Sequence, residues 1–299
     1  MKVIKTISEM QTESRRLRSE GKKIACVPTM GYFHEGHTSL MEKAREFGDI
    51  VITTLFVNPT QFAPNEDFSK YPRNFERDCR IAENHGTDII FNPEVEEMYP
   101  RGFNTSVMVH GVTEKFEGRF RPTHFSGVAT VVAKLFNAVL PDFAVFGQKD
   151  YQQSLVVKKL AEDMNFPVKI IIAPTKRQSD GLAMSSRNVY LSQEERNHSA
   201  ILFKIMETAI KAIENGERRR KVINGIMHNS LRSLPGIRID YASAADADTL
   251  GEPEDFPPGT RIVLLLAVYL GKTRLIDNAL VTLPEEKFEK PEWVKEVIR

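Results

Sequence analysis

The sequence predicts an α/β protein, with a doubly wound parallel sheet followed by a smaller α+β domain. Three observations carry that reading. Short apolar, β-branched runs alternate with helix-length runs from Lys23 to Ala173, the pattern of strands joined by helical crossovers. One of those runs, residues 49–57, is nearly continuously apolar, as a strand buried on both faces must be. From about Arg177 the alternation gives way to long charged helices and then to further strands.

Taken in order, residues 8–21 predict a polar, charged helix closed by Gly21, because glycine readily takes the left-handed conformation that ends helices. Residues 23–27 predict the first strand, and a turn with two glycines leads into a helix over 38–47. The strand at 49–57 runs into Asn58-Pro59-Thr60-Gln61-Phe62. Residues 63–74 are a polar stretch with two prolines, of a length found in lids or in disordered segments. A helix over 74–85 ends at Gly86, and strands follow at 87–91 and 105–110. Residues 116–125 form a basic and aromatic loop punctuated by Gly118 and Pro122, expected near a nucleotide, and an apolar helix over 127–140 succeeds it. A strand at 143–146, a helix over 151–164 and a strand at 168–173 complete the alternation. A Rossmann-like sheet of this kind gathers its ligands at the carboxyl ends of the strands. The expected domains are therefore 1–176, which would bind the ligands, and a smaller lid domain at 177–299. The latter is predicted to hold helices over 193–215 and 217–234 and strands at 237–242, 262–270 and 274–277.

A length of 299 residues suits about two domains at roughly 150 residues each. The formal net charge of +1 gives no global attraction to nucleic acid or membrane, so neither is an expected partner. The basic run Arg218-Arg219-Arg220-Lys221 reads as a solvated helix start. The longest apolar run, 262–270, has nine residues, too few to span a bilayer and suited to a buried strand. The first residues lack the apolar core of a signal peptide. Cys26 and Cys79 are the only cysteines, which fits a reducing compartment and a cytoplasmic protein.

The chemistry gathers at Met30-Gly31-Tyr32-Phe33-His34-Glu35-Gly36-His37. A strand, a glycine turn and a helix start bring backbone N–H groups and the helix dipole to bear on an anion, most often a phosphate. Gly31-x-x-x-x-Gly36-His37-Thr38 misses the P-loop pattern by one residue, with His37 where the phosphate-binding lysine belongs. His34 and His37 lie three apart, on one face of a first helical turn, where both imidazoles could donate to phosphate oxygens. The same residues also suit a capping and a surface histidine. Zinc is the weaker reading, since no third ligand stands nearby.

His34-Glu35-Gly36-His37 is the H-x-G-H signature of a nucleotidyltransferase superfamily. Three further motifs accompany it: Asn58-Pro59-x-Gln61-Phe62, Phe146-Gly147-Gln148-Lys149-Asp150-Tyr151-Gln152-Gln153 and Asp180-Gly181-Leu182-Ala183-Met184-Ser185-Ser186-Arg187-Asn188. In this order and at these spacings the chain resembles the pantothenate synthetase (pantoate–β-alanine ligase) family over essentially its whole length. The resemblance implies ligation of (R)-pantoate and β-alanine, driven by ATP with Mg²⁺, through a pantoyl adenylate. It implies that Met30 to His37, Gly147, Gln148, Lys149, Asp150, Lys176, Met184, Ser185, Ser186 and Arg187 bind ATP. His34, His37 and Lys149 would be catalytic, with His37 the proton donor. Gln61, Gln153 and, with less support from residue type, Asn58 would hold pantoate or β-alanine. The residue types suit these tasks: lysine and arginine answer phosphate charge, while amides bind hydroxyls and a carboxylate without repelling either. A homodimer is implied as well, and no protein ligand for Mg²⁺ is indicated. Two other readings compete, a nucleotidyltransferase that stops at the adenylylated product and a non-catalytic nucleotide- or RNA-binding module.

Overall fold

A computed structural model describes residues 1–63 and 68–285. The chain divides into two compact units, Met1–Gln178 with Ala183–Val189, and Ser179–Leu182 with the described residues from Tyr190 on.

The first unit contains β1 (Lys2–Ile4), α1 (Ile7–Ser19), β2 (Ile24–Thr29), α2 (Glu35–Arg45), β3 (Ile50–Leu55), α3 (Phe75–Asn84) and β4 (Ile89–Phe91). It continues through α4 (Val95–Met98), α5 (Glu117–Phe120), α6 (His124–Val139), β5 (Phe143–Gly147), α7 (Tyr151–Asp163) and β6 (Lys169–Ala173). The six strands form one sheet in the order β1-β4-β3-β2-β5-β6, and every pairing is parallel. Each strand except the edge strand β1 feeds two cores because its side chains alternate between faces. Along β2, Ile24 and Cys26 join the cluster built with Met10 and Leu17 of α1 and with α6 and α7. Ala25 and Val27 join the opposite cluster with Met41 and Ala44 of α2 and Ala82 of α3. Burial on both sides explains why such strands read as unbroken apolar runs.

The strand order reverses direction at β2, whose neighbours are β3 on one side and β5 on the other. Chain leaving β2 and chain leaving β5 therefore diverge at their carboxyl ends, which opens the crevice where open α/β sheets bind ligands.

The second unit contains α8 (Gln193–Ser199), α9 (Ile201–Glu214), α10 (Arg220–Arg232) and an antiparallel sheet of β7 (Ile237–Asp246), β8 (Arg261–Leu270) and β9 (Thr273–Thr282). Leu202, Met206, Met227 and Leu231 from the helices pack on Leu264, Leu266 and Val268 of the central strand.

Several expectations are corrected. Residues 105–110 form no strand: Val107 and Val109 pack on the first core while Met108 is 65% exposed, so the alternation marks an extended segment lying on helix rather than on sheet. Its Val107 N–H donates to Thr130 Oγ1 of α6 at 2.9 Å. The edge strand β1 goes unforeseen, since three residues give no periodicity. The helix expected over 193–215 is two helices that meet at Ala200, which caps both. The next helix starts at Arg220, because the Glu217 carboxylate holds the Arg218 and Arg219 N–H groups and Arg220 N–H donates to the Glu254 carbonyl. Of the lid-like stretch 63–74, residues 64–67 lie outside the described residues. Beside them Phe68 and Tyr71 pack on Phe62 with ring centroids 5.4 and 6.0 Å apart.

Candidate active site

The turn after β2 is held in an unusual backbone conformation. Gly31 has φ +83° and Tyr32 φ +53°, two successive residues in a region that side chains disfavour. The Asp78 carboxylate of α3 accepts the Tyr32 N–H at 2.6 Å and the Phe33 N–H at 2.9 Å. Arg77 adds a bond to the Phe33 carbonyl at 2.8 Å and lies over the Tyr32 ring. Phe33 itself is fully buried, with its ring 5.5 Å from that of His37. Burial pushes the Asp78 carboxyl upward, against the pull of the two N–H groups and Arg77.

The chain then enters α2 with His34 as its N-cap. His34 Nδ1 accepts the Gly36 N–H at 3.1 Å, and His37 Nδ1 accepts the His34 N–H at 3.3 Å. This is a capping box made of two histidines, satisfying donors that a helix start leaves unpaired. It also fixes the tautomers. An Nδ1 that accepts carries no proton, so each neutral ring keeps its hydrogen on Nε2, at the opposite edge. The two rings lie 4.1 Å apart. A side chain at position 36 would place its Cβ 2.8 Å from His34 Cε1 and 3.5 Å from Met184 Cβ, so glycine there is set by close approach.

Burial and the Lys149 ammonium push His34 down to about 4, with Asp150 pulling the other way. Burial, His34 and Lys149 hold His37 well below the usual imidazole range. Both rings are therefore neutral at pH 7. A ring that is neutral when folded but protonates near pH 6.5 when unfolded contributes stability fully present above that pH and lost as the pH falls toward 4. His34→Asn keeps a capping side chain without the titration. It is expected to lose less stability than the parent between pH 6.5 and 4 in denaturant melts. Equal losses would contradict the titration assigned to His34.

After β3, Asn58 is 1% exposed and wholly engaged. Its Nδ2 donates to the Gly127 carbonyl and Gln61 Oε1, and its Oδ1 accepts from Thr60 and from the Tyr99 hydroxyl. It thus holds Gln61, whose Nε2 reaches Met30 Sδ at 3.0 Å. His124 Nδ1 donates to the Gln61 carbonyl at 3.0 Å and Arg121 approaches the same oxygen at 3.4 Å. The basic and aromatic loop over 116–125 consequently braces Gln61. It also contains α5 and the first two residues of α6.

After β5, a Cβ at Gly147 would come no closer than 3.9 Å to Leu40, so the missing side chain leaves room at the strand end. Lys149 Nζ lies 3.3 Å from Asp150 Oδ1. Gln148 and Lys149 share a short 3-10 turn with Asp150 before α7. The two glutamines that follow differ. Gln152 is buried and bonds the Glu117 N–H and the Val112 and Lys115 carbonyls, which is a scaffold task, whereas Gln153 is half-buried.

Met184 to Arg187 return to the same unit. The Met184 N–H donates to the Lys176 carbonyl at 3.0 Å, Arg177 and Ala183 form an antiparallel bridge, and Ser185 Oγ accepts the Arg187 N–H. Ser186 is buried. Lys176 is thereby tied by its backbone to the segment that lies against Gly36. All the candidate residues fall within the first unit. Asp78, Arg77 and Tyr99, which hold the turn and Asn58, belong to no motif; an aspartate on the otherwise charged α3 gives no sign in sequence that it is buried.

A parallel sheet whose switch-point strand ends in an H-x-G-H turn defines a nucleotide-handling α/β protein. The chain matches the family model described as pantoate-beta-alanine ligase over residues 2–280. It is 50% identical over 281 residues to a pantothenate synthetase of Moorella thermoacetica, covering 94% of this chain and 99% of that one. It is 47% identical to a pantothenate synthetase of Geobacillus kaustophilus, covering 95% and 94%. Among solved structures, a pantothenate synthetase from Thermus thermophilus superposes with TM-score 0.87 at 42% identity, covering 93% and 99% of the two chains. A pantoate-beta-alanine ligase from Francisella tularensis, complexed with beta-gamma ATP and beta-alanine, gives 0.76 at 33%, covering 94% and 97%. The chain belongs to the pantoate–β-alanine ligase family and is an enzyme of the ligase class. Among the described residues no helix is long and apolar enough to cross a membrane.

Proposed function

We propose that this ligase joins (R)-pantoate to β-alanine in two steps at the site after β2, β3 and β5. In the first, a pantoate carboxylate oxygen bonds to the α-phosphorus of ATP and the bond from that phosphorus to the bridging oxygen breaks. Pantoyl adenylate and pyrophosphate result. In the second, the β-alanine amine attacks the acyl carbon, AMP leaves, and the amine gives up its proton as the amide forms.

The observation that carries this reading is the histidine capping box. Two neutral imidazoles, each anchored through Nδ1, offer Nε2–H donors at a helix N-terminus. Lys149 is close enough to depress both. The first step concentrates negative charge on phosphate oxygens, and donors fixed in advance around such oxygens are commonly the largest catalytic contribution. We assign ATP to the residues from Met30 to His37, Gly147 to Asp150, Lys176 and Met184 to Arg187; His37, expected from the resemblance as proton donor, is neutral and is assigned to donate its Nε2–H as a hydrogen bond to a phosphate oxygen. Gln61 and Gln153 are assigned to pantoate, and Asn58 to the support of Gln61. Mg²⁺ enters with ATP as part of the substrate, held by phosphate oxygens. The family resemblance supports a homodimer, which sedimentation would test, and the two free cysteines support a reducing, cytoplasmic setting.

The deciding experiment follows the two products separately. Pyrophosphate release should require pantoate and ATP but not β-alanine, whereas AMP release should require all three. ATP turnover indifferent to pantoate would overturn the ligation scheme. Gln153→Ala is expected to raise the apparent KM for pantoate about tenfold or more, the scale of one or two lost hydrogen bonds, with ATP affinity unchanged. An unaltered pantoate KM would remove Gln153 from that role.

A further inference from the structure

We propose that Asp78 is a positioning residue for adenylation, locking residues 31–33 so that the turn fixes where the His34 and His37 imidazoles point. The inference rests on the adenylation reading above. Four observations meet at this residue. Its side chain is 1% exposed, and its two oxygens are committed to protein donors, Oδ2 to Tyr32 N–H and Oδ1 to Phe33 N–H and Arg77 Nη1. The carboxylate therefore acts on ligands only through the backbone it holds. Tyr32 is left-handed, after a left-handed Gly31, and a residue with a side chain keeps that conformation only when its surroundings over-determine it. A Cβ on Gly31 would lie 3.0 Å from Asp78 Oδ2, so turn and carboxylate are fitted to each other. The next residue after the clamped pair is His34, whose N–H must reach His37 Nδ1 for the capping box to close.

The clamp works because a carboxylate offers acceptors on both oxygens and an amide on only one. Asp78→Asn keeps the volume but turns an NH₂ group toward one of the two backbone N–H donors. One side of the turn is then repelled and the left-handed pair relaxes. The capping bond from His34 N–H to His37 Nδ1 loosens with it, and the imidazoles cease to be confined to the Nε2–H tautomer.

The test compares the parent enzyme with Asp78→Asn and Arg77→Ala. Three readouts are taken: thermal melting, pantoate-dependent pyrophosphate release, and nitrogen NMR of the histidine rings without substrates. Asp78→Asn is expected to melt cooperatively and to lose about tenfold to a hundredfold in kcat, the range that misplaced catalytic groups produce. The KM for pantoate should stay within about twofold, since the pantoate groups are held elsewhere. The His34 and His37 nitrogens should shift from a single Nε2–H tautomer to a mixture. Parental kcat, or parental ring spectra, in a folded Asp78→Asn protein would overturn the proposal. If that variant does not fold, Arg77→Ala decides by the same two readings, because Arg77 contacts Asp78, the Phe33 carbonyl and the Tyr32 ring. The ring spectra need no substrate. A parent enzyme that failed to release pyrophosphate would thus sink the adenylation reading while still deciding whether Asp78 sets the histidines.

Discussion

Replacing His37 with alanine is expected to slow pantoate-dependent pyrophosphate release by about a hundred- to a thousandfold, the usual result of removing one fixed donor from developing negative charge. In the proposed mechanism the imidazole has two jobs with separable signatures. Its Nδ1 closes the α2 capping box, and losing that bond costs on the order of 1 kcal/mol of stability. Its Nε2–H carries the catalytic loss. Lys149→Ala should give a rate loss of similar size with a smaller change in stability, since its partner Asp150 is 46% exposed and exposed pairs contribute about 1 kcal/mol or less. Stopped-flow or coupled pyrophosphate assays, beside thermal melts, separate the two effects. Near-parental rates in a folded variant of either residue would remove it from the chemistry.

Gly36→Ala is expected to be nearly as damaging, for a steric reason. The new Cβ would meet the His34 ring at 2.8 Å, and that ring is pinned by its own bond to the Gly36 N–H. It can move only by giving up the cap. The expected outcome is a fall of about a hundredfold in kcat, the scale for catalytic groups displaced by roughly 1 Å. Stability should change little, because alanine gains up to about 1 kcal/mol in helix propensity while the lost cap costs about as much. A Gly36→Ala enzyme with parental kcat would show that the His34 ring position is unimportant.

Much of this site was legible in the sequence because its residues are bound to chain order. The H-x-G-H turn, Gly147 to Asp150 and Asn58 to Gln61 each follow directly on a strand, so finding the strands placed the residues at one sheet edge. Strands buried on both faces announced themselves as apolar runs. The failures share a cause, which is that burial created by distant chain leaves no local pattern. Asp78 sits on a helix that also carries Glu76, Arg77 and Arg80, where an acidic residue near the start looks like an ordinary complement to the helix dipole. Asn58 is read from sequence as a pantoate-binding candidate; that it is also buried among Gly127, Thr60, Gln61 and Tyr99 depends on distant chain and leaves no local sign. Residues 105–110 alternate like a strand but lie against α6 and pair with no strand among the described residues. The break at Ala200 interrupts a run whose periodicity continues across it, so the pattern does not register it.

The bond pattern at Asp78 also bears on how the enzyme comes into being. The carboxylate lies 45 and 46 residues beyond the N–H groups it receives, so the turn after β2 cannot be completed by its own neighbourhood. As the chain emerges from the ribosome, β2 and α2 are made well before the segment that completes the turn between them. Contacts between residues that far apart along the chain are made later in folding than local helical ones. In refolding, helical signal should therefore return before the capacity to make adenylate. Competence in this protein is then expected to be a late, long-range event, although the histidine turn itself spans a single octet.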